Sequence, residues 1–275
     1  MKKVLIIVFF FIVLIILDGF FINPNGFKTN EIVININNLP EDFEGFKIMQ
    51  ISDLLINDTS DINRVKDIVK SINERKPDII VFTGDLINEK NKLTDKDIDN
   101  LKSILKDATC TLYKYAVFGD NDLKNDELYN NIMIDAEFKI LNNESIYLFY
   151  KNINPIKITG LKNTNDLEKS FATVDEYDDI FNLVLTHYPD YIDNLNEYNN
   201  LIVLAGHSLK GQIKMPFFGG LIRLDGANKY YDSFYEVNGN RLYVSGGIGN
   251  NKVNFRLFNK PEINLYRLEK NNCFL

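Results

Sequence analysis

Histidine and cysteine are nearly missing from this chain: it has two of each, His187 and His207, Cys110 and Cys273. The cysteines stand far apart and in no CxxC pattern, which excludes a disulfide-rich scaffold. They read as a buried thiol at Cys110 and an incidental one at Cys273, with a single disulfide left open if the domain is extracytoplasmic. No stretch is dominated by lysine and arginine, and the formal net charge is -7. A phosphate backbone would repel that surface, so nucleic acid is excluded as a partner. A small anionic ligand is not excluded, because a bound metal ion would dominate the local field. There is no internal repeat, no low-complexity tract beyond enrichment in Asn, Ile and Lys, and no G-x-G-x-x-G opening a helix.

What is present suits a globular protein with a membrane segment. The 275 residues are 45% hydrophobic and 25% charged, enough for one large domain with a real core. Lys2 and Lys3 precede an apolar run over residues 4–17 that continues through Asp18 and Gly19 into Phe20, Phe21 and Ile22. To Ile22 its length is close to the roughly 20 residues that span a bilayer core. Asp18 sits near the far end, where its carboxylate can reach the interface. A cleaved signal peptide, an uncleaved anchor and a buried core helix all fit an apolar run. No small-x-small cleavage site follows it, and Pro24, Asn25 and bulky residues come instead, so an uncleaved single-pass anchor over residues 1–22 is expected. The two lysines keep the N-terminus cytoplasmic and put the rest of the chain on the other side of the cell membrane. Residues 23–38 then read as a linker and leading strand, and residues 39–275 as the domain.

Beyond the linker the pattern alternates between strands and helices. Strands are expected at residues 32–36, 47–52, 78–83 and 111–118, and helices at 61–75 and 95–106. The first helix puts Ile62, Val65, Ile68, Val69 and Ile72 on one face. The second half offers strands at 156–159, 183–186, 201–205, 230–237, 241–245 and 262–268, with Asn238-Gly239 as a hairpin turn. Continuous apolar strands between helices indicate largely parallel sheet, hence an α/β sandwich of two packed sheets flanked by helices.

Polar residues follow five of these strands: Asp53, Asp85, Asp120 with Asp122, His187 and His207. In α/β sheets the ligand crevice lies beyond the carboxyl ends of the strands, so these side chains can converge there. A single Asp at such a place is more often a cap or turn residue. Both histidines of the chain standing in equivalent places is harder to dismiss, and carboxylates with imidazoles suit Mn, Fe or Zn.

The series resembles the calcineurin-like metallophosphoesterases, whose pattern runs D-x-H, G-D, G-N-H-[DE], a lone H, then G-H-x-H. This chain has Asp53-Leu54-Leu55, Gly84-Asp85, Gly119-Asp120-Asn121-Asp122, His187 and Gly206-His207-Ser208-Leu209, in the same order. Flanking stretches such as FKIMQISD, KPDIIVFTGDLI and GHSLKGQIKMP are similar to the membrane-associated bacterial branch, and the likeness covers about residues 31–270. It implies a four-layer αββα sandwich of the metallophosphoesterase type after the N-terminal transmembrane helix.

By the same resemblance, one metal of the family's pair would be held by Asp53, Leu55, Asp85 and Leu209, and the other by Asp85, Asp120, His187 and His207. Leucine has no lone pair, so the first site is reduced to a remnant at Asp53, while all four groups of the second can coordinate. Asn121 stands where the family has its catalytic histidine, and an amide cannot act as a general acid. The resemblance therefore implies one divalent metal, no second metal, and a phosphorylated small molecule or lipid bound with weak or no hydrolysis. The alternatives are an active hydrolase using one metal or a substitute ligand such as Asp58 or Asp122, and a membrane-tethered interaction domain without metal. Among the remaining residues, Gly246, Gly247 and Gly249 read as turn glycines. Arg256 could reach a phosphate or pair with Glu262, and Tyr230, Tyr231, Phe234 and Tyr235 read as half-buried strand.

Overall fold

The structure is a computed structural model and describes residues 1–162 and 180–271. Two six-stranded sheets pack face to face. The first runs β1 (Lys28–Ile36), β14 (Glu262–Lys270), β2 (Lys47–Ile51), β3 (Ile79–Phe82), β4 (Tyr113–Ala116), β5 (Phe138–Ile140), with β14 antiparallel to β2 and the neighbours from β2 to β5 parallel. The second runs β12 (Phe234–Val237), β13 (Asn240–Val244), β9 (Ile202–Ala205), β8 (Asn182–Leu185), β7 (Ile156–Gly160), β6 (Glu144–Leu148), parallel from β13 to β7.

Both faces of the central strands are buried, which is why they read as continuous apolar runs. In β3, Ile79 and Val81 point into the core between the sheets, and Ile80 and Phe82 point to the helices. The helical layer is α2 (Thr59–Arg75), α3 (Asp95–Lys106) and α5 (Asp126–Asp135), and its core includes the five α2 residues at helical spacing. Asp58 caps α2 by accepting from Ser60 N, and Thr94 with Asp97 makes a capping box on α3. On the outer face of the second sheet, a 3-10 segment (Pro189–Leu195) covers a third core around Ile192, Leu195, Val203 and Leu242. The mixed sheets between helical elements are those expected from the strand and helix pattern.

Most boundaries moved by a residue or two, but some elements are new. The leading strand begins at Lys28, earlier than its apolar alternation, because β14 supplies a parallel partner along all of β1. Asn238 and Gly239, at φ 49° and 80°, make the turn between β12 and β13. The pattern missed α4 (Asp120–Lys124), α5, β5, β6 and a short hairpin of β10 (Lys214–Met215) and β11 (Gly219–Gly220). These are short, or exposed on one side, and carry little periodic signal. Cys110 is a free thiol, and the suggested partner Cys273 lies outside the described residues.

The N-terminal helix α1 (Lys2–Leu17) continues as a π-helical turn (Asp18–Ile22) and a 3-10 turn (Asn23–Asn25). Together these make a 24-residue helix with an 18-residue stretch of mean hydropathy 3.2, only 6% of it buried, which is long and apolar enough to cross a membrane.

Candidate metal centre

The strand-end residues meet at one edge of the sandwich. Asp85 follows β3, Asp120 opens α4 after β4, His187 follows β8 and His207 follows β9. One ligand atom from each of the four lies within 4.8 Å of the others. His187 Nε2 is 3.2 Å from Asp120 Oδ1 and 3.6 Å from Asp85 Oδ1. His207 Nδ1 is 3.3 Å from Asp120 Oδ1 and 3.1 Å from His187 Nε2.

The outward-facing ring atoms fix what faces inward. His187 Nδ1 is 2.7 Å from Thr83 O, and His207 Nε2 is 2.8 Å from Asp225 O. A carbonyl oxygen only accepts, so each of those nitrogens carries the hydrogen and donates. In the neutral rings, both nitrogens that face each other are then lone pairs, directed at two carboxylates. A positive charge among these four groups removes the conflict, and this donor set fits a divalent metal ion. The same pocket favours a proton: burial lowers the His187 pKa, but the Asp85 and Asp120 carboxylates outweigh it and hold it well above its ordinary value. Burial likewise raises the Asp120 carboxyl, and the two imidazoles, which donate to it only when protonated, more than offset that and pull it down.

Around the four stand the residues that the resemblance put at the second metal and at the catalytic histidine. Asp53 is not among the four. Both its oxygens accept from His207 N, at 3.1 and 3.0 Å, and Ser52 Oγ donates to it at 2.5 Å. Burial, followed by the nearby Asp85 charge among the raising influences, pushes its carboxyl up to about 6. Asn121 donates from its side chain to Asp85 Oδ2 (2.7 Å) and from its backbone to Asp85 Oδ1 (2.9 Å), clamping that carboxylate. Leu55 and Leu209 are both buried beside this cleft, with φ 46° and 47°. Leucine rarely adopts that left-handed conformation, which costs on the order of 1 kcal/mol or more. Tyr188, whose ring lies 4.5 Å from that of His207, was also missed, as was the Asp225 carbonyl. Only the adjacency of Tyr188 to His187 hinted at either.

Three residues named in the open alternatives have other partners in the structure. Asp122 serves the backbone: its buried carboxylate accepts from Asp85 N, Leu86 N and Gly119 N. Burial and the Asp85 charge raise it to about 7. Asp58 lines the cleft but is occupied as the α2 cap. Arg256 neither faces a phosphate nor pairs with Glu262; it is wholly buried and donates to Gly246 O, Gly249 O and Asn250 Oδ1. Glu262 pairs with Lys210. The glycines of that loop serve close approach, since a Cβ on Gly247 would lie 2.6 Å from Asp53 Cβ and one on Gly249 2.5 Å from Leu54 O.

A cleft of about 840 Å³ opens over Asp85, Asp120 and His207, with His187 buried and outside its lining, and is walled also by Asn57, Asp61, Lys124 and Lys252. The calcineurin-like phosphoesterase family model matches residues 46–211, which hold every one of the strand-end residues above. The chain belongs to the calcineurin-like phosphoesterase family. Among curated relatives, the uncharacterized metallophosphoesterase YkuE of Bacillus subtilis is 29% identical over 92% of this chain and 89% of its own length. UDP-2,3-diacylglucosamine pyrophosphatase LpxG of Chlamydia trachomatis is 26% identical over 84% of this chain and 86% of its own. Among solved structures, a dimetal phosphatase from Danio rerio superposes with a TM-score of 0.47 at 12% identity, over 74% of this chain and 88% of that one. The calcineurin-like phosphoesterases are metal-dependent, and this member carries an Asp/His cluster able to hold a metal ion.

Proposed function

We propose that this protein is a divergent metallophosphoesterase that holds one divalent transition metal, Mn, Fe or Zn, through Asp85, Asp120, His187 and His207. It binds a phosphorylated ligand at the membrane, with weak or no phosphoester hydrolysis. The observation that carries the reading is the asymmetry of the site. Four donors converge on one point, while the neighbouring position has Leu55, Leu209 and an Asp53 already bonded to the His207 backbone.

When bound, a divalent ion would supply Lewis-acid polarisation of a phosphoryl oxygen and a positive charge facing the ligand. The chain's own groups do the rest. Thr83 O and Asp225 O hold the imidazoles in the tautomers that turn lone pairs inward, and Asn121 orients Asp85. Asn121 has no proton to give a leaving group near neutral pH, and no histidine beyond His187 and His207 exists to replace it. A second reading, hydrolysis with a single metal, is favoured by Asp120, whose side chain is 34% exposed to the cleft.

The membrane part rests on the N-terminal helix, whose apolar side chains are almost all exposed, as a lipid-facing span requires and a core helix does not. Residues 1–22 act as a single-pass anchor, residues 23–38 as linker and leading strand, and residues 39–275 as an extracytoplasmic domain. A phosphorylated lipid is the ligand class we favour, since LpxG is named for a diacylated substrate. The deciding experiment is elemental analysis of the purified full chain alongside hydrolysis of bis(p-nitrophenyl) phosphate with added Mn2+. One metal per chain with little turnover supports the proposal. Turnover of about 1 per second or more favours the second reading. Absence of any metal overturns both.

A further inference from the structure

The hairpin of β10 and β11 follows on the His207 loop and carries Phe217, the most exposed large apolar side chain among the described residues. Lys214 pairs with Gly220 and Met215 with Gly219, leaving Pro216, Phe217 and Phe218 at the tip. Phe218 N donates to Met215 O at 3.2 Å, closing a turn with Pro216 in its second position. Phe217, in the third, has φ 70°, a place where such a turn favours glycine. Its ring is fully exposed, and Phe218 is 79% exposed. A glycine would relieve the backbone and remove the apolar surface from water, so both costs at Phe217 need a compensating contact.

The foot of this hairpin lies against the N-terminal helix. Ile213 and Ile222, which flank its strands, line a groove of about 530 Å³ together with Ile16, Phe20, Val253 and Phe255. The helix is fixed there: Arg256 N donates to Gly19 O at 3.0 Å, and the Phe20 and Phe255 rings lie 4.6 Å apart. Ile16 precedes Ile22 by six residues, about 9 Å along a helix. The hairpin therefore leaves the domain beside the last turns of the apolar span. Leu224 from one loop and Asn251, Lys252 and Val253 from another wall both this groove and the cleft over the metal cluster, so the two share a boundary.

We propose that Phe217 and Phe218 insert into the bilayer beside the anchor, a second membrane contact that turns the cleft toward the lipid surface. The proposal rests on the reading of the N-terminal helix as a membrane span. That helix also argues for lipid as the occupant, because the hairpin is continuous with the surface where the span meets the domain. Two contacts fix the rotation of the domain about its anchor, where one leaves it free, and the cleft then meets phosphate headgroups without extraction of the lipid.

The chain has no tryptophan, so Phe217→Trp or Phe218→Trp introduces a single one, excited at the red edge where the 14 tyrosines do not absorb. Each is made in the full chain and reconstituted into phosphatidylethanolamine and phosphatidylglycerol vesicles, with and without brominated acyl chains. Phe9→Trp reports on the anchor, and Tyr113→Trp, exposed at the start of β4 and so at the far end of the sheet from the cluster, reports on water. Expected is bromine quenching at 217 and 218 of at least half that at position 9, with emission to the blue of Tyr113→Trp. Quenching at position 9 with none at 217 and 218 overturns the hairpin contact and leaves the anchor standing. No quenching at position 9 overturns the anchor and this proposal with it. Blue-shifted but unquenched emission at 217 means that a protein surface covers the rings, which also overturns it.

Discussion

His187 Nε2 faces His207 Nδ1 at 3.1 Å, although the opposite nitrogen of each ring already donates its hydrogen to a carbonyl. Two lone pairs at that distance repel, so the arrangement calls for a positive charge between them. The carboxylates of Asp85 and Asp120 supply the rest of the donor set, and the backbone of β3, β4, β8 and β9 brings all four together.

The purified protein is therefore expected to carry one divalent metal per chain by elemental analysis. His187→Ala and His207→Ala should each bring the content near zero, since each removes one of only four donors. Two metals per chain would sink the half-site reading.

Rebuilding the other half of the site is a stronger test. Changing Leu55, Asn121 and Leu209 together to histidine should raise metal content above the parent's and accelerate phosphodiester hydrolysis at least about tenfold, roughly 1.4 kcal/mol of transition-state stabilisation. Single changes should do little, because groups acting as a unit are strongly non-additive. The backbone at positions 55 and 209 stays left-handed whichever side chain is present, so folding should be checked by thermal melting alongside. A folded triple variant with no extra metal would show that these positions do not share a site.

Glu262 offers a test of stability. Its buried carboxylate accepts from Lys210 Nζ, Gly246 N (3.0 Å) and Asn30 Nδ2 (2.9 Å), tying β14 to the loops around the cleft. Burial raises its pKa, but the Lys210 charge and these donors outweigh that, so it titrates below its ordinary 4.5. The unfolded chain binds this proton more readily, so the stabilisation is fully present above about pH 4.5 and is lost as pH falls through the lower folded value. Glu262→Gln leaves the Lys210 charge buried without a counter-ion and should cost about 3–5 kcal/mol at pH 7. The gap in melting temperature between parent and variant should narrow as pH drops below 4.5. Equal melts at pH 7 would remove the pair from the stability account.

Gly19 tests how the helix meets the domain. A Cβ there would lie 2.3 Å from the Phe255 ring, so Gly19→Leu should push the helix off loop 253–256. Proteolysis within residues 23–27 should become about tenfold faster, the factor that about 1.4 kcal/mol of lost local packing produces. Domain melting should hardly change. Unaltered cleavage would mean that the contact contributes nothing.

The sequence by itself determined the alternation of apolar strands and amphipathic helices, and with it the ends of the strands where Asp85, Asp120, His187 and His207 stand. Such periodicity is local, because a buried strand or a helix face shows itself within a few residues. It also supplied the candidate donors, since two histidines leave no choice of imidazole. What each remaining polar group does was decided only by tertiary structure. Asp53 meets the His207 backbone 154 residues away, Asp122 meets Asp85 N 37 residues away, and Arg256 turns inward among Gly246, Gly249 and Asn250. A carboxylate or guanidinium takes whichever partners the packed elements bring within reach, and no spacing rule encodes that. The same holds for the exposed Phe217 and Phe218, which read as part of a loop until the fold sets them beside the end of the apolar helix.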